Sequence, residues 1–234
     1  MKLVNKLGVP IGKVLSALPE KWKPTINEAI QKTMISVIKL LNITFQNKSY
    51  HHSSPIWHKV AVAATGGVGG FFGLTALPIE LPASTWIMIR SIMDIAKEQG
   101  ANMSDPSDIL ACIEVLALGG GSSAGEAATE YYAVRNLFAK ALQEAAEFIT
   151  QKGFTEEGAP ALVKYITQVM SRFGVMISEE AALKWVPFVS AFTGSSINLV
   201  FITHFQNMAR GHFTIRSLEK KYGAESVKRY YNGL

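Results

Sequence analysis

The sequence is almost without cysteine: Cys112 is the only one in 234 residues. A single cysteine excludes an internal disulfide and suits a reducing compartment. The chain also lacks a linker rich in Ser, Pro and Gly, so one large domain is expected. Near the N-terminus no unbroken apolar run forms, because Lys6 and Lys13 interrupt it. We therefore expect no secretory signal there.

Motifs that would name a reaction are missing as well. The chain contains no HExxH zinc motif, no Gly-Lys-Ser/Thr phosphate loop and no carboxylate dyad of defined spacing. Gly121–Gly125 matches the GxSxG nucleophile elbow in letters only, since that elbow follows a buried strand and a helical pattern precedes it here. Cys112 has apolar neighbours and no adjacent His, which indicates a core thiol. We predict no catalytic residue, no metal site and no cofactor.

Strands are the next absence, because no segment alternates apolar and polar residues with period two. Apolar residues instead recur at helical spacing through most of the chain. The sequence predicts an all-α fold, a single bundle of about eight or nine helices. Ser104-Asp105-Pro106 predicts a helix start near 105, and Gly153 and Gly174 predict helix ends. The segments expected to be helical are 24–45, 83–99, about 105–118, 126–152, 156–173 and an element from 178 onwards.

Charge is absent from two long runs. Val60–Ile79 has 20 uncharged residues, in which Gly66/Gly70 and Gly69/Gly73 form two interleaved small-xxx-small pairs. Such spacing lets another helix approach closely. Pro78 and Pro82 are expected to separate this run from the next helix. Trp185–Ala209 has 25 residues without formal charge but includes Gly, Ser and Asn. We expect these two Gly/Ser-containing apolar segments to be the central helices and to pack together.

The net charge of +5 is distributed in blocks, with +6 in residues 1–100, −6 in 101–182 and +5 in 183–234. Basic residues that flank apolar segments are attracted by an anionic membrane surface. No basic helix with interleaved aromatics and no nucleic-acid-binding motif occurs, so nucleic acid is not an expected partner. The distribution of charged and apolar residues divides the chain into a basic amphipathic segment (1–23), a helical domain (24–223) and a C-terminal tail (224–234).

A few polar residues stand out because they lie within or beside apolar segments. Glu80 is expected at a turn, and Arg90 and Asp94 are i,i+4 neighbours that can pair on one helix. His204 is expected to hydrogen-bond within the bundle. The residues predicted to bind a lipid or another ligand are Gly66, Gly70, Gly73, Glu80, Arg90, Asp94, His204, Arg210 and Arg216.

Four stretches are similar to a known family: ATGGVGGFFGLTALPIELPASTWIMIRSIMDIAKEQG, CIEVLALGG at 112–120, YYAVRNLFAKALQEAAEFI at 131–149, and VPFVSAFTGSSINLVFITHFQNMARGHFTIRSLEKKYG at 186–223. In this order they resemble the EcsC protein family over roughly residues 55–223. The resemblance implies a bacterial protein and a link to a membrane complex that contains an ABC transporter. It implies no reaction and no catalytic residues.

Three functions remain open at this point. The leading hypothesis is a non-enzymatic helical protein in the bacterial cytoplasm, peripheral to or partly inserted in the cytoplasmic membrane, where it binds anionic lipid or supports a membrane protein complex. The second is a soluble hydrolase or peptidase with a polar cleft formed by Glu80, Arg90, Asp94, Glu130 and His204. The third is a cytosolic scaffold whose uncharged helices form its core.

Overall fold

The computed structural model describes residues 23–46, 77–118, 124–153, 159–185 and 194–232. These ranges are all-helical, as predicted, and contain no strand. They hold seven α-helices, fewer than the eight or nine expected, and one 3-10 turn, Val115–Ala117. The helices are α1 (Lys23–Gln46), α2 (Leu77–Glu98), α3 (Pro106–Glu114), α4 (Ala124–Lys152), α5 (Ala159–Trp185), α6 (Gly194–Tyr222) and α7 (Ala224–Asn232).

The helix α3 and the 3-10 turn after it are the most deeply buried part of the described chain. Every residue from 108 to 118 is buried. The helix starts where the sequence predicts: Pro106 is its first residue, and the N-cap Asp105 accepts a hydrogen bond from the Ser107 N–H at 2.9 Å. Helices α2, α4 and α5 all pack against α3.

The other helices pack against one another around this centre. Helix α1 lies along α2, and α2 in turn packs against α6. Helix α4 packs against α5 on the other side. An edge-to-face contact between Phe173 and Phe205, with ring centroids 5.8 Å apart, joins α5 to α6. The helix predicted over 24–45 is confirmed, and Val37 and Leu41, four residues apart on one of its faces, are buried.

Helix α2 starts earlier than predicted and contains both prolines that were expected to break it. Pro78 lies in its first turn, where a backbone N–H has no partner within the helix in any case. Pro82 is inside the helix and removes one hydrogen bond, which α2 tolerates because α1 and α6 pack against it. Glu80 therefore lies within α2 and not at a turn; its side chain is outside the described set.

Helix α5 does not end at Gly174 as predicted, and Ser178 does not start a new helix. One helix runs from Ala159 to Trp185 through both positions. A glycine inside a helix costs only about 1 kcal/mol relative to alanine, less than the packing of a long helix supplies. The predicted end of α4 is confirmed, because Gly153 follows Lys152 with a φ of 72°.

The two predicted central helices can be followed only in part. Gly66, Gly70 and Gly73 and the packing of their segment lie outside the described residues, as does the basic segment before Lys23. Of the second uncharged run, Trp185 is the last described residue of α5 and 194–209 lie in α6, while the residues between them lie outside the described set. In the described ranges, no helix has the length and apolar character required to cross a bilayer.

Candidate functional site

The described chain contains one cluster of charged and titratable side chains at the junction of α3, α4 and α6. We call it the buried polar cluster. Two of its members come from α3, two from α4 and four from the last turns of α6. They are Asp108, Glu114, Tyr131, Arg135, His212, Arg216, Glu219 and Lys220.

Asp108 holds one end of the cluster together. It is 1% exposed, and its Oδ1 lies 2.8 Å from the Arg216 Nη2, while the Lys220 Nζ lies 3.0 Å from Oδ2. The backbone N–H of Asn102 donates to the same Oδ2 at 2.9 Å. Burial acts to raise the pKa of Asp108, but these three donors outweigh it and hold the pKa below its usual value.

Arg135 and Glu219 form a second ion pair. Arg135 Nη1 and Nη2 donate to the two carboxylate oxygens of Glu219 at 2.7 and 2.8 Å, a bidentate geometry. Only 18% of the Arg135 side chain and 10% of the Glu219 side chain are exposed. The Tyr132 hydroxyl also donates to Glu219, at 3.3 Å. This pair ties α4 to the end of α6.

Between the two ion pairs lie Glu114 and His212, which have almost no exposed surface. The His212 Nε2 is 3.7 Å from a carboxyl oxygen of Glu114, too far for a hydrogen bond. Burial raises the pKa of Glu114 to about 7, although Arg135 and Arg216 oppose the shift. Burial, together with the same two cations, lowers the pKa of His212 well below its usual value. His212 is therefore neutral near neutral pH, and the Glu114 carboxyl is protonated below about pH 7 and ionised above it.

His212 is linked to α4 through a hydroxyl group. Arg135 can only donate, and its Nη1 lies 3.4 Å from the Tyr131 hydroxyl oxygen. The same hydroxyl is hydrogen-bonded to His212 Nδ1, 3.0 Å away. The other ring nitrogen of His212, Nε2, faces Glu114. Arg135, Tyr131, His212 and Glu114 thus form a chain of polar groups across the α3–α4–α6 junction.

Helix α7 covers the outer side of this junction. The Tyr231 ring contacts the rings of Tyr131 and Tyr132, with centroids 5.8 and 5.9 Å away. The Lys228 Nζ lies 5.8 Å from the centre of the Tyr132 ring, within the range of a cation–π contact. Helix α7 therefore contacts α4 through two tyrosines. Tyr131 is a member of the buried polar cluster, and Tyr132 donates to its member Glu219.

Helix α7 and the last turn of α6 form what we call the basic end, which contains Lys221, Tyr222, Lys228, Arg229 and Tyr230. One exposed carboxylate, Glu225, lies on the same helix, so the three cations leave a net positive charge. Tyr222 is 57% exposed and Tyr230 is 80% exposed. Among the ion pairs of the described residues, no carboxylate is paired with any of the three cations. The basic end is thus a surface of positive charge and exposed aromatic rings.

A smaller polar group lies at the other end of the 3-10 turn. Arg172 donates from Nε to the carbonyl oxygen of Ala117 at 2.8 Å and pairs with Glu130 through Nη2. Burial lowers the pKa of His204, and a hydrogen bond with the backbone of Leu118 partly offsets this. Two helices thus bind the backbone at the end of the turn. These contacts explain Glu130 and His204 as parts of the packing.

Of the predicted site residues whose side chains the structure describes, Arg216 alone lies in the buried polar cluster. Arg210 is exposed, and its Nη1 donates to Asn207 at 3.0 Å. Asp94 is fully buried on α2, where both it and Arg90 make polar or electrostatic contacts. The core thiol is confirmed: Cys112 is buried, its Sγ donates to the Asp108 carbonyl oxygen, and burial raises its pKa.

Sequence analysis did not select Glu114, Arg135, His212 or Glu219. A signal was present in the spacing of His212, Arg216 and Glu219, which fall on one helical face four and three residues apart. Glu114 was visible as the only charge in the run CIEVLALGG. Within the described residues, no group of three or more His, Cys, Asp or Glu side chains is placed to bind a metal.

Comparison with known proteins identifies the family of this chain but no individual protein that resembles it. The model of the EcsC protein family matches residues 2–218. Neither a curated protein nor a solved structure matches the chain. The family match covers most of the sequence and includes the buried polar cluster up to Arg216, so this chain belongs to the EcsC protein family.

Proposed function

We propose that this protein is a non-enzymatic helical protein that attaches to an anionic membrane surface through its basic end. The observation that carries the proposal is the composition of that surface. Lys221, Lys228 and Arg229 lie beside two exposed tyrosines, Tyr222 and Tyr230. Lysine and arginine near an anionic bilayer contribute roughly 1 kcal/mol each, and tyrosine is enriched where membrane meets water.

The ion pairs of the interior support this assignment. Arg216 is neutralised by Asp108 and Arg135 by Glu219, so neither cation is available to an outside partner. The cations of the basic end are not paired with carboxylates of the described chain. Their charge is therefore available for phosphate groups outside the protein.

The wider proposal includes parts of the chain beyond the described residues. We propose that the basic segment 1–23 contacts the same surface and that the glycine-rich run near Gly70 packs against the start of α6. A bacterial cytoplasmic location, peripheral to or partly inserted in the membrane, and support of a membrane complex linked to an ABC transporter belong to the same hypothesis. They rest on the charge pattern and on the resemblance described above.

The buried polar cluster does not favour an enzyme as a second function. Glu114, His212 and Tyr131 are the residue types of acid–base catalysis, but the side chains of Glu114 and His212 are 3% and 0% exposed. A substrate would have to reach atoms that solvent does not reach. Asp94, a candidate for the predicted polar cleft, is likewise fully buried.

Sedimentation with vesicles tests the proposal. The purified protein is mixed with vesicles of phosphatidylglycerol and phosphatidylcholine, or of phosphatidylcholine alone, at low and high salt. We expect binding to the anionic vesicles only, and weaker binding at high salt because exposed charges are screened. The double variant Lys221→Gln/Arg229→Gln should bind about 30-fold more weakly, from roughly 1 kcal/mol for each lost cation.

The matched control is Lys152→Gln/Lys164→Gln, which removes the same charge. Both lysines are exposed. Lys152 is about 30 Å along α4 from Tyr132, the residue of α4 that contacts α7. This variant should bind like the wild type. Equal losses in the two double variants would show that only net charge matters, and no binding by the wild type would refute the proposal.

A further inference from the structure

Apart from the Tyr131 hydroxyl, Glu114 and His212 are the members of the buried polar cluster that are not in one of its two ion pairs. Asp108 is held by Arg216 and Lys220, and Glu219 by Arg135. When the pair holds one proton, it carries no net charge. When that proton is lost, a carboxylate remains in the interior without a cation of its own, which is costly in a region that excludes water.

We propose that the Glu114–His212 pair senses protons and controls how firmly α7 is packed against α4. The pair is placed for this role because His212 is hydrogen-bonded to Tyr131, and the Tyr131 ring contacts the Tyr231 ring of α7. Only the Tyr131 side chain therefore lies between the pair and Tyr231, a residue of α7.

The charged and titratable side chains around the pair determine how the cluster rearranges when Glu114 loses its proton. The helices around the pair contribute several titratable or charged side chains. They are Asp108 and Cys112 from α3, Tyr131 and Arg135 from α4, Tyr165 from α5, Arg216 and Glu219 from α6, and Tyr231 from α7. Arg135 and Arg216 are the cations among them and the groups that a new carboxylate attracts.

Arg135 is the cation whose movement would reach α7. Its guanidinium carbon lies 5.3 Å from the centre of the Tyr131 ring and 5.6 Å from that of Tyr132. Attraction toward a Glu114 carboxylate pulls it from Glu219, to which Tyr132 also donates. The tyrosines that support Tyr231 and Lys228 then lose their fixed positions. We expect α7 to be held firmly below pH 7 and loosely above it, since burial raises the pKa of Glu114 to about 7.

Hydrogen exchange measured by mass spectrometry tests the inference without any lipid. The exchange of peptides that cover Ala224–Asn232 is compared at pH 6 and pH 8 after correction for the intrinsic rate. We expect protection to fall by about tenfold at pH 8 in the wild type. Glu114→Gln keeps the shape of the protonated acid and cannot ionise, so it should show equal protection at both values. Glu147→Gln, on the exposed face of α4, should behave as the wild type.

Two further measurements remain decisive if Glu114→Gln does not fold. Tyr131→Phe removes the hydroxyl that contacts both His212 and Arg135 and should reduce the pH dependence of α7. Infrared difference spectra of the wild type should show a protonated carboxyl at pH 6 that disappears by pH 8. Equal corrected protection in the wild type at both pH values, or an unchanged pH dependence in Tyr131→Phe, overturns the inference. Failure of vesicle binding leaves it untouched.

Discussion

Tyr165 is a single residue that ties α5 to the centre of the molecule. Its ring is fully buried, and its hydroxyl donates to the Leu110 carbonyl oxygen at 2.7 Å. Tyr165→Phe removes only this donor, so we expect the free energy of unfolding to fall by about 1 kcal/mol. Urea unfolding measures the change.

The control for that variant is Tyr222→Phe, because Tyr222 is 57% exposed. Water hydrates this hydroxyl in both the folded and the unfolded chain. The free energy of unfolding of the variant should therefore differ from that of the wild type by less than about 0.5 kcal/mol. A Tyr165→Phe protein as stable as Tyr222→Phe would show that the buried hydrogen bond adds nothing.

At the residue scale, sequence analysis predicted the burial of a side chain better than the residue that it contacts. An apolar neighbourhood sufficed to predict that Cys112 is a core thiol. Arg216 was selected for its charge and for its place in a stretch similar to the EcsC family, but its partner Asp108 is 108 positions away. Glu114 and His212 are charged or polar residues in apolar helices, and nothing in their own segments indicates that they face each other. Their pairing depends on how three helices meet.

At the scale of elements, two glycines with different backbone geometry offer a matched test. Gly153 ends α4 with a φ of 72°, a conformation that costs an alanine roughly 1 kcal/mol. Gly211 lies inside α6, and a Cβ built there meets nothing within 4 Å. We expect Gly153→Ala to destabilise the protein by about 1 kcal/mol and Gly211→Ala to stabilise it by up to about 1 kcal/mol. Thermal unfolding distinguishes the two, and a shift of the same sign in both would contradict this account.

Local chemistry and long-range packing together explain which helix ends could be predicted from the sequence. Asp105 and Gly153 mark ends by local chemistry, a side-chain cap and a left-handed residue, and both predictions are confirmed. Gly174 and Pro82 are also local signals, but helical packing overrides them. A helix continues through either residue when the neighbouring helices bury enough of its surface. Those neighbours are distant in sequence, so the prediction of an end at Gly174 and a break at Pro82 was wrong.

At the scale of the whole molecule, polar contacts join segments that lie far apart in the chain. Asp108 binds Arg216 and Lys220, and Arg135 binds Glu219 across 84 positions. The helical class follows from local periodicity. The arrangement of the helices does not, because each long-range contact needs two separate segments to be placed first.

Asp108 provides the test of that long-range arrangement. Asp108→Asn leaves Arg216 and Lys220 without their carboxylate, and we expect a loss of about 2–3 kcal/mol at pH 7 because Arg216 is mostly buried. The pKa of Asp108 is held below 3.8, so its stabilising effect is complete above that pH and is lost as the pH falls through the lower value. The gap between wild type and variant should therefore shrink on acidification.

Urea unfolding at pH 7, 5 and 3 measures that gap. It should be equal at pH 7 and 5 and smaller at pH 3, where the wild-type carboxylate begins to take up its proton in the unfolded chain before it does so in the folded one. Glu147→Gln, an exposed carboxylate on α4, should show a gap near zero throughout. A constant gap for Asp108→Asn would mean that the side chain stabilises the junction by its shape, and that its charge does not join α3 to α6.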